Sequence, residues 1–276
     1  MQGGSIMKTV NVNKSLPFLQ LSVFTAGVLL FQSKLFAFAF ILSFGLIIFL
    51  LLLSKQERVF SWTIAGYLTG SLLFLYGDKL LDALPLPYYI LLILNRFLLV
   101  IPILILVYIS IKFNKTAFPF LQKPDWNSLI FFPFIWSGFH SIKIKYFLMI
   151  AILINFAAFA YSIFSANISF SRDFLIFLIG FSIVNGIMEE LLWRGIILSR
   201  MAELSGEKTA VLFSGLAFGF SHIMLGYSFV LCLLFAVGGI FYAAVTVKSQ
   251  SIFPAFIWHM AMNVFMILSG LISFPG

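Results

Sequence analysis

Apolar residues fall in long unbroken stretches separated by short polar breaks. Nine such stretches stand out, at 17–32, 35–53, 60–76, 86–111, 146–164, 174–198, 209–225, 228–247 and 252–273. A helix needs about 20 mostly apolar residues to cross a bilayer. Lipid offers no hydrogen-bond partners, so only helices or closed barrels can span it, and continuous rather than alternating hydrophobicity selects helices. The pattern predicts an all-α, polytopic membrane bundle of about nine transmembrane helices, with eight as the alternative count. One further apolar stretch, 126–139, is short and interrupted by Pro133, and reads as an interfacial or re-entrant piece. No internal repeat is evident, and residues 1–276 read as a single integral membrane domain.

Composition sharpens this picture. Only 9% of the 276 residues are charged and 62% are hydrophobic, against about 25% charged in soluble domains. A water-soluble enzyme and a disordered regulator are excluded. The net charge of +8 is mostly a topology signal. With the N-terminus inside, the inner segments hold Lys8, Lys14, Lys55, Arg58, Lys112, Lys115, Lys123, Lys143, Lys145, Arg200, Lys208 and Lys248, while the outer ones hold only Lys34, Lys79 and Arg172. That bias predicts a cytoplasmic N-terminus, and an outer C-terminus if there are nine spans. It argues against nucleic acid as a partner. A cleavable signal peptide is disfavoured: Lys34 interrupts the first apolar stretch, which resumes as far as Leu53 beyond the cleavage-like Ala37-Phe38-Ala39. The single cysteine, Cys232, sits in a Leu/Phe stretch and reads as a small buried hydrophobe.

Scarce charge makes every intramembrane polar residue conspicuous. Of nine acids, Glu57, Asp78, Asp82, Asp125, Asp173, Glu203 and Glu207 fall in predicted loops or at span ends; only Glu189 and Glu190 lie well inside a span. Arg194 shares that span. Unpaired, the three would cost on the order of 8–10 kcal/mol on insertion scales. Glu190 and Arg194, at i and i+4, share a face and can neutralise one another. Glu189 is rotated by about 100° and is free to face a cavity. The seventh span carries Phe218 and His222 one turn apart, and the ninth carries His259 and Asn263 one turn apart. At about 1.5 Å rise per residue, the depths of Glu189, His222, His259 and Asn263 overlap. Each set also has a plainer explanation: solvated charges at a helix end, a packed histidine, or hydrogen bonding between helices. Arg96, beside Asn95 in the fourth span, is open between snorkelling, pairing with a substrate carboxylate and bracing the bundle.

Glu189-Glu190-x-x-x-Arg194, Phe218-x-x-x-His222 and His259-x-x-x-Asn263 occur in that order on successive helices. This resembles the CAAX prenyl protease and bacteriocin-processing (CPBP, Abi) family of intramembrane proteases, over residues 174–273, which would form the catalytic helical core. The resemblance implies an intramembrane endopeptidase in which Glu189 is the general base acting on a water held with His222. His259 and Asn263 would stabilise the oxyanion, and Glu190, Arg194 and Phe218 would support the geometry. Peptide hydrolysis needs these functions: an activated water, oxyanion donors and a proton for the leaving amine. The implied substrate is a membrane-associated protein or peptide, lipidated or not, and the implied location is a prokaryotic plasma membrane. No cofactor is expected. The family has also been described as metalloproteases, and the zinc alternative would use Glu189, His222 and His259, although no H-E-x-x-H motif is present. Two other functions stay open on these residues. One is a non-catalytic scaffold or bacteriocin-immunity protein; the other is a transporter, which would also place acids and histidines at mid-membrane.

Overall fold

The computed structural model describes residues 15–50, 55–166 and 168–274. Lys8 and Lys14, two of the inner cations, and the end of the second predicted span lie outside these residues. Among the described residues the elements are α1 (Ser15–Gln32), α2 (Phe36–Leu50), α3 (Lys55–Leu81), α4 (Tyr88–Phe97), α5 (Val100–Lys112), β1 (Leu129–Pro133), β2 (Gly138–Lys143), α6 (Ile144–Ser165), α7 (Arg172–Glu190), α8 (Leu198–Ser205), α9 (Glu207–Phe220), α10 (Phe229–Ser249) and α11 (Phe253–Leu268). Seven helical stretches are long and apolar enough to cross a membrane, and two shorter ones, Phe36–Ile48 and Phe253–Leu268, occupy the other two predicted spans. The architecture is a polytopic helical bundle.

Outer faces are apolar, as lipid requires. On α2, Phe38, Ile41, Phe44 and Ile48 are exposed at helical spacing, while Ala39, Ser43 and Leu46 turn inward. α6 exposes Met149, Leu153, Ile154 and Phe164 in the same way. Buried hydroxyls within helices bond their own backbone, as Ser43 Oγ does to Ala39 O at 2.8 Å and Thr246 Oγ1 to Tyr242 O at 2.9 Å.

Three features depart from nine uniform helices. The fourth predicted span is broken into α4 and α5 at Leu98–Leu99. Pro102, four residues beyond Leu98, lacks the N–H that would bond the Leu98 carbonyl and crowds it instead. The segment 126–139 contributes to an antiparallel hairpin with Leu129 opposite Lys143 and Ile130 opposite Ile142. The helix of the sixth span runs on to Ser205 through a π-helical turn, Leu191–Ile197, in which Leu198 N–H bonds Trp193 O. Ser199 Oγ donates to the Ile196 carbonyl at 2.7 Å, also lying 3.0 Å from that of Gly195. Asp78, expected in a loop or at a span end, lies in the last turn of α3, which ends at Leu81.

The main core joins the two halves of the chain. Phe24 of α1 and Tyr67 of α3 pack edge-on against each other, and both meet Trp193 of the π turn. Leu21, Ile64, Ile196, Met201, Val211 and Ala243 complete the cluster. Salt bridges from Lys115 and Arg200 to Glu203, at 3.0 and 2.9 Å, tie the loop after α5 to α8. α9 and α10 pack closely through small residues. A Cβ on Gly219 would lie 2.5 Å from Ala236 N, and one on Gly239 2.8 Å from Phe218 Cδ1. Such small-residue contacts let backbones approach where the hydrophobic effect gives no drive. Gly219→Val therefore overlaps the α10 backbone. A loss of about 3 kcal/mol or more is expected, read as a lowered thermal midpoint of the detergent-solubilised protein.

Candidate active site

The polar residues of α7 form one stripe. Ser182, Asn185 and Glu189 stand at i, i+3 and i+7, all buried, with side chains toward α11. There Asn263 meets them: Asn185 Nδ2 donates to Asn263 Oδ1, and Asn263 Nδ2 to Ser182 O, both at 3.5 Å. α7 begins where Ser171 Oγ accepts from Phe174 N–H at 3.1 Å, so a capped helix start leads directly to the acids.

The adjacent glutamates have separate environments. Glu190 is wholly buried and accepts from Arg194 Nη1 at 2.9 Å. Arg194 is also fully buried, with its guanidinium 4.2 Å over the Phe218 ring and 5.1 Å over Tyr242. The i, i+4 pair expected from the sequence is therefore formed, and Phe218 covers it. The π turn begins immediately after Glu190, a placement frequent at functional sites. Gly195 within it leaves room for Phe118, whose Cδ1 would be 2.9 Å from an added Cβ.

Glu189 instead borders a cavity of about 980 Å³. Walls from α6, α7, α10 and α11 are mostly apolar, with Phe132, His140 and Ile142 of the hairpin at one end and residues 271–273 at another part of the lining. Glu189, His222, His259 and Asn263, the four sequence-level candidates for the chemistry, all line it; Glu190 and Arg194 do not.

The histidine rings have defined roles for one nitrogen each. His259 Nδ1 lies 2.8 Å from Glu190 Oε1. A carboxylate only accepts, so Nδ1 carries the hydrogen. Its Nε2 lies 3.6 Å from Glu189 Oε2, and the ring stacks on Tyr242 at 5.4 Å. His259 thus touches both glutamates. His222 sits just past the end of α9, where a 3₁₀ turn, Ile223–Leu225, closes at Gly226 with φ +86°. Its Nδ1 donates to the Phe218 carbonyl at 2.9 Å, which leaves the Nε2 lone pair of the neutral ring available.

Sequence reasoning left two contributors unassigned. Arg96 comes from α4, with Nη1 3.8 Å from Glu189 Oε1 and its guanidinium 5.8 Å from the Phe181 ring. Asn185 lies one turn before Glu189, and that i, i+4 spacing was the available signal.

Among the described residues no three His, Cys, Asp or Glu side chains are grouped to hold a metal ion. His259 Nδ1 is directed to Glu190, and guanidinium groups lie beside both carboxylates.

Residues 171–265, about a third of the chain, match the family model described as Type II CAAX prenyl endopeptidase Rce1-like. The matched segment runs from the α7 cap into α11 and contains every motif residue from Glu189 to Asn263; Arg96 lies outside it. Neither the comparison with curated proteins nor that with solved structures gives a match.

Proposed function

We propose, from the match of residues 171–265 to the Rce1-like CAAX prenyl endopeptidase family model, that the chain is an intramembrane endopeptidase that cleaves a membrane-associated protein or peptide with a glutamate-activated water. The observation that carries this is the meeting of Glu189, His222, His259 and Asn263 on one apolar cavity within a membrane bundle. A cavity of that character suits an apolar or lipidated chain arriving from the bilayer.

In this mechanism a water gives one hydrogen bond to the Glu189 carboxylate and the other to His222 Nε2, which leaves its lone pairs for the scissile carbonyl. As the water oxygen bonds to the carbonyl carbon, its proton passes to Glu189. The oxyanion accepts from the free Nδ2–H of Asn263 and from Nε2 of His259 when that ring is protonated on both nitrogens. Glu189 then protonates the leaving amine as the C–N bond breaks. Oxyanion donors of this kind contribute about 2.7–4 kcal/mol each. Glu190 and Arg194 hold His259 in place through Nδ1. His222→Ala is expected to lower kcat by roughly 10²–10⁴-fold, the range for a positioned acid–base group.

No metal enters these steps. Cleavage is expected to persist after exhaustive treatment with a zinc chelator; loss of activity that added zinc restores would replace this mechanism with a metal-dependent one. The family resemblance suggests a prokaryotic plasma membrane, and the basic bias puts the Lys-rich loop between α5 and α6, together with Arg200 and Lys208, on the cytoplasmic side.

A further inference from the structure

Peptide hydrolysis consumes one water per bond, yet the large cavity beside Glu189 is lined mostly by apolar side chains. A second, smaller cavity of about 210 Å³ reaches the same carboxylate from another side. It shares Arg96, Glu189, His222 and Leu225 with the large one and otherwise lies among α1, α3, α4 and α5, the π turn and the residues just after α9. Between apolar walls it carries polar side chains, Gln32, Ser71, Asp78, Asn95 and Ser221, besides Arg96.

Their positions trace a path. Gln32 closes α1 and Asp78 stands in the last turns of α3, next to exposed Ser33, Lys34, Lys79 and Asp82. One end of the cavity therefore lies at a polar surface, on the side opposite the Lys-rich loop between α5 and α6. Ser71 is ten residues before Leu81, about 15 Å down the helix. Asn95, which donates to Asp78 Oδ1, and Arg96 continue to Glu189. The break at Leu98–Leu99 and the close approach of Gly70 to Pro102, where an added Cβ would lie 2.6 Å from Pro102 Cα, shape its α3–α5 wall.

Three lining residues hold buried polar atoms with no hydrogen-bond partner among the described residues: Asn95 Oδ1, Arg96 Nε and Glu189 Oε2. Buried polar groups without partners are costly, most of all in a membrane. A site for water needs room and two to four polar partners, and both are present.

We propose that this smaller cavity is a water conduit from the face bearing Gln32 and Asp78 to Glu189, separate from the large apolar cavity that receives the polypeptide. Its role in delivering the reacting water rests on the endopeptidase reading; its wetness does not. Arg96 stands at the junction, where both cavities meet the carboxylate.

The test labels single cysteines in a Cys232→Ala background with a charged, membrane-impermeant methanethiosulfonate applied to intact cells. Ser71→Cys is expected to react at least about ten times faster than Leu72→Cys. Leu72 is at nearly the same depth but 38% exposed on the outer face of the bundle, where a thiol in lipid does not ionise. Equal rates, no reaction at Ser71→Cys, or reaction only from the cytoplasmic face overturns the conduit. This arm needs no cleavage assay, so it stands apart from failure of the protease reading. With activity as the readout, Ser71→Leu fills the path and is expected to lower kcat about tenfold with KM unchanged, while Ser71→Ala stays within about twofold of wild type. Wild-type turnover by Ser71→Leu overturns the delivery role.

Discussion

Arg194→Leu is expected to destabilise the protein by about 3–5 kcal/mol, the range for removing one partner of a buried ion pair. Glu190 would keep a charge in a fully buried site with only His259 Nδ1 beside it. Losses of packing against Phe218 and Tyr242 add to this. The double variant Glu190→Gln/Arg194→Leu removes both charges and is expected to recover a large part of the loss, because a buried pair contributes little beyond an apolar replacement. Thermal unfolding in detergent, compared across the two single variants and the double, checks the coupling. A double variant no more stable than Arg194→Leu would contradict the brace assigned to this pair.

Glu189→Gln is expected to lower kcat by roughly 10²–10⁴-fold, since the amide keeps shape but cannot take a proton from water. The fold should survive. Glu189 has no short ion pair to lose, its nearest basic neighbours being His259 Nε2 at 3.6 Å and Arg96 Nη1 at 3.8 Å. Glu189 and Glu190 are thus opposites in consequence: altering one stops the chemistry and leaves the bundle standing, whereas altering the environment of the other loosens the bundle. Detergent unfolding and turnover measured on the same preparations separate the two.

The contrast between these neighbours was legible in the sequence because it is local. A spacing of four brings Glu190 to Arg194, and an offset of one rotates Glu189 away. The order of motifs on three helices was legible for the same reason, and so were the nine apolar stretches, whose hydrophobicity is continuous. Their meeting on one cavity depends on how α7, α9 and α11 pack, which one-dimensional spacing does not carry. Arg96 illustrates the limit: its contact with Glu189 arises from α4 lying against α7, so snorkelling, pairing with a substrate carboxylate and bracing the bundle were equal options in the sequence. Asp78 stands at a span end as read, but the end of α3 was read early, at Tyr76, because Gly77, Asp78 and Lys79 interrupt the apolar run.

Other misses had signals that went unused. Pro102 inside the fourth apolar stretch marked the α4–α5 break. Phe131, Phe132 and Ile142, with Gly138 between the two runs, carried the aromatic and β-branched content of a hairpin. Gly215 and Gly219 formed a G-x-x-x-G pair at a helix contact. The π turn had no such signature. It is seen only once Arg194 is held between Glu190 and two aromatic rings.

The central claim is that Glu189 activates water for peptide hydrolysis inside the membrane. It is tested most directly by peptidomics of membranes from cells producing wild-type protein or Glu189→Gln at equal abundance. The account predicts newly generated peptide termini from membrane-associated proteins with the wild type and their absence with Glu189→Gln; the same termini at the same levels with both proteins would contradict it.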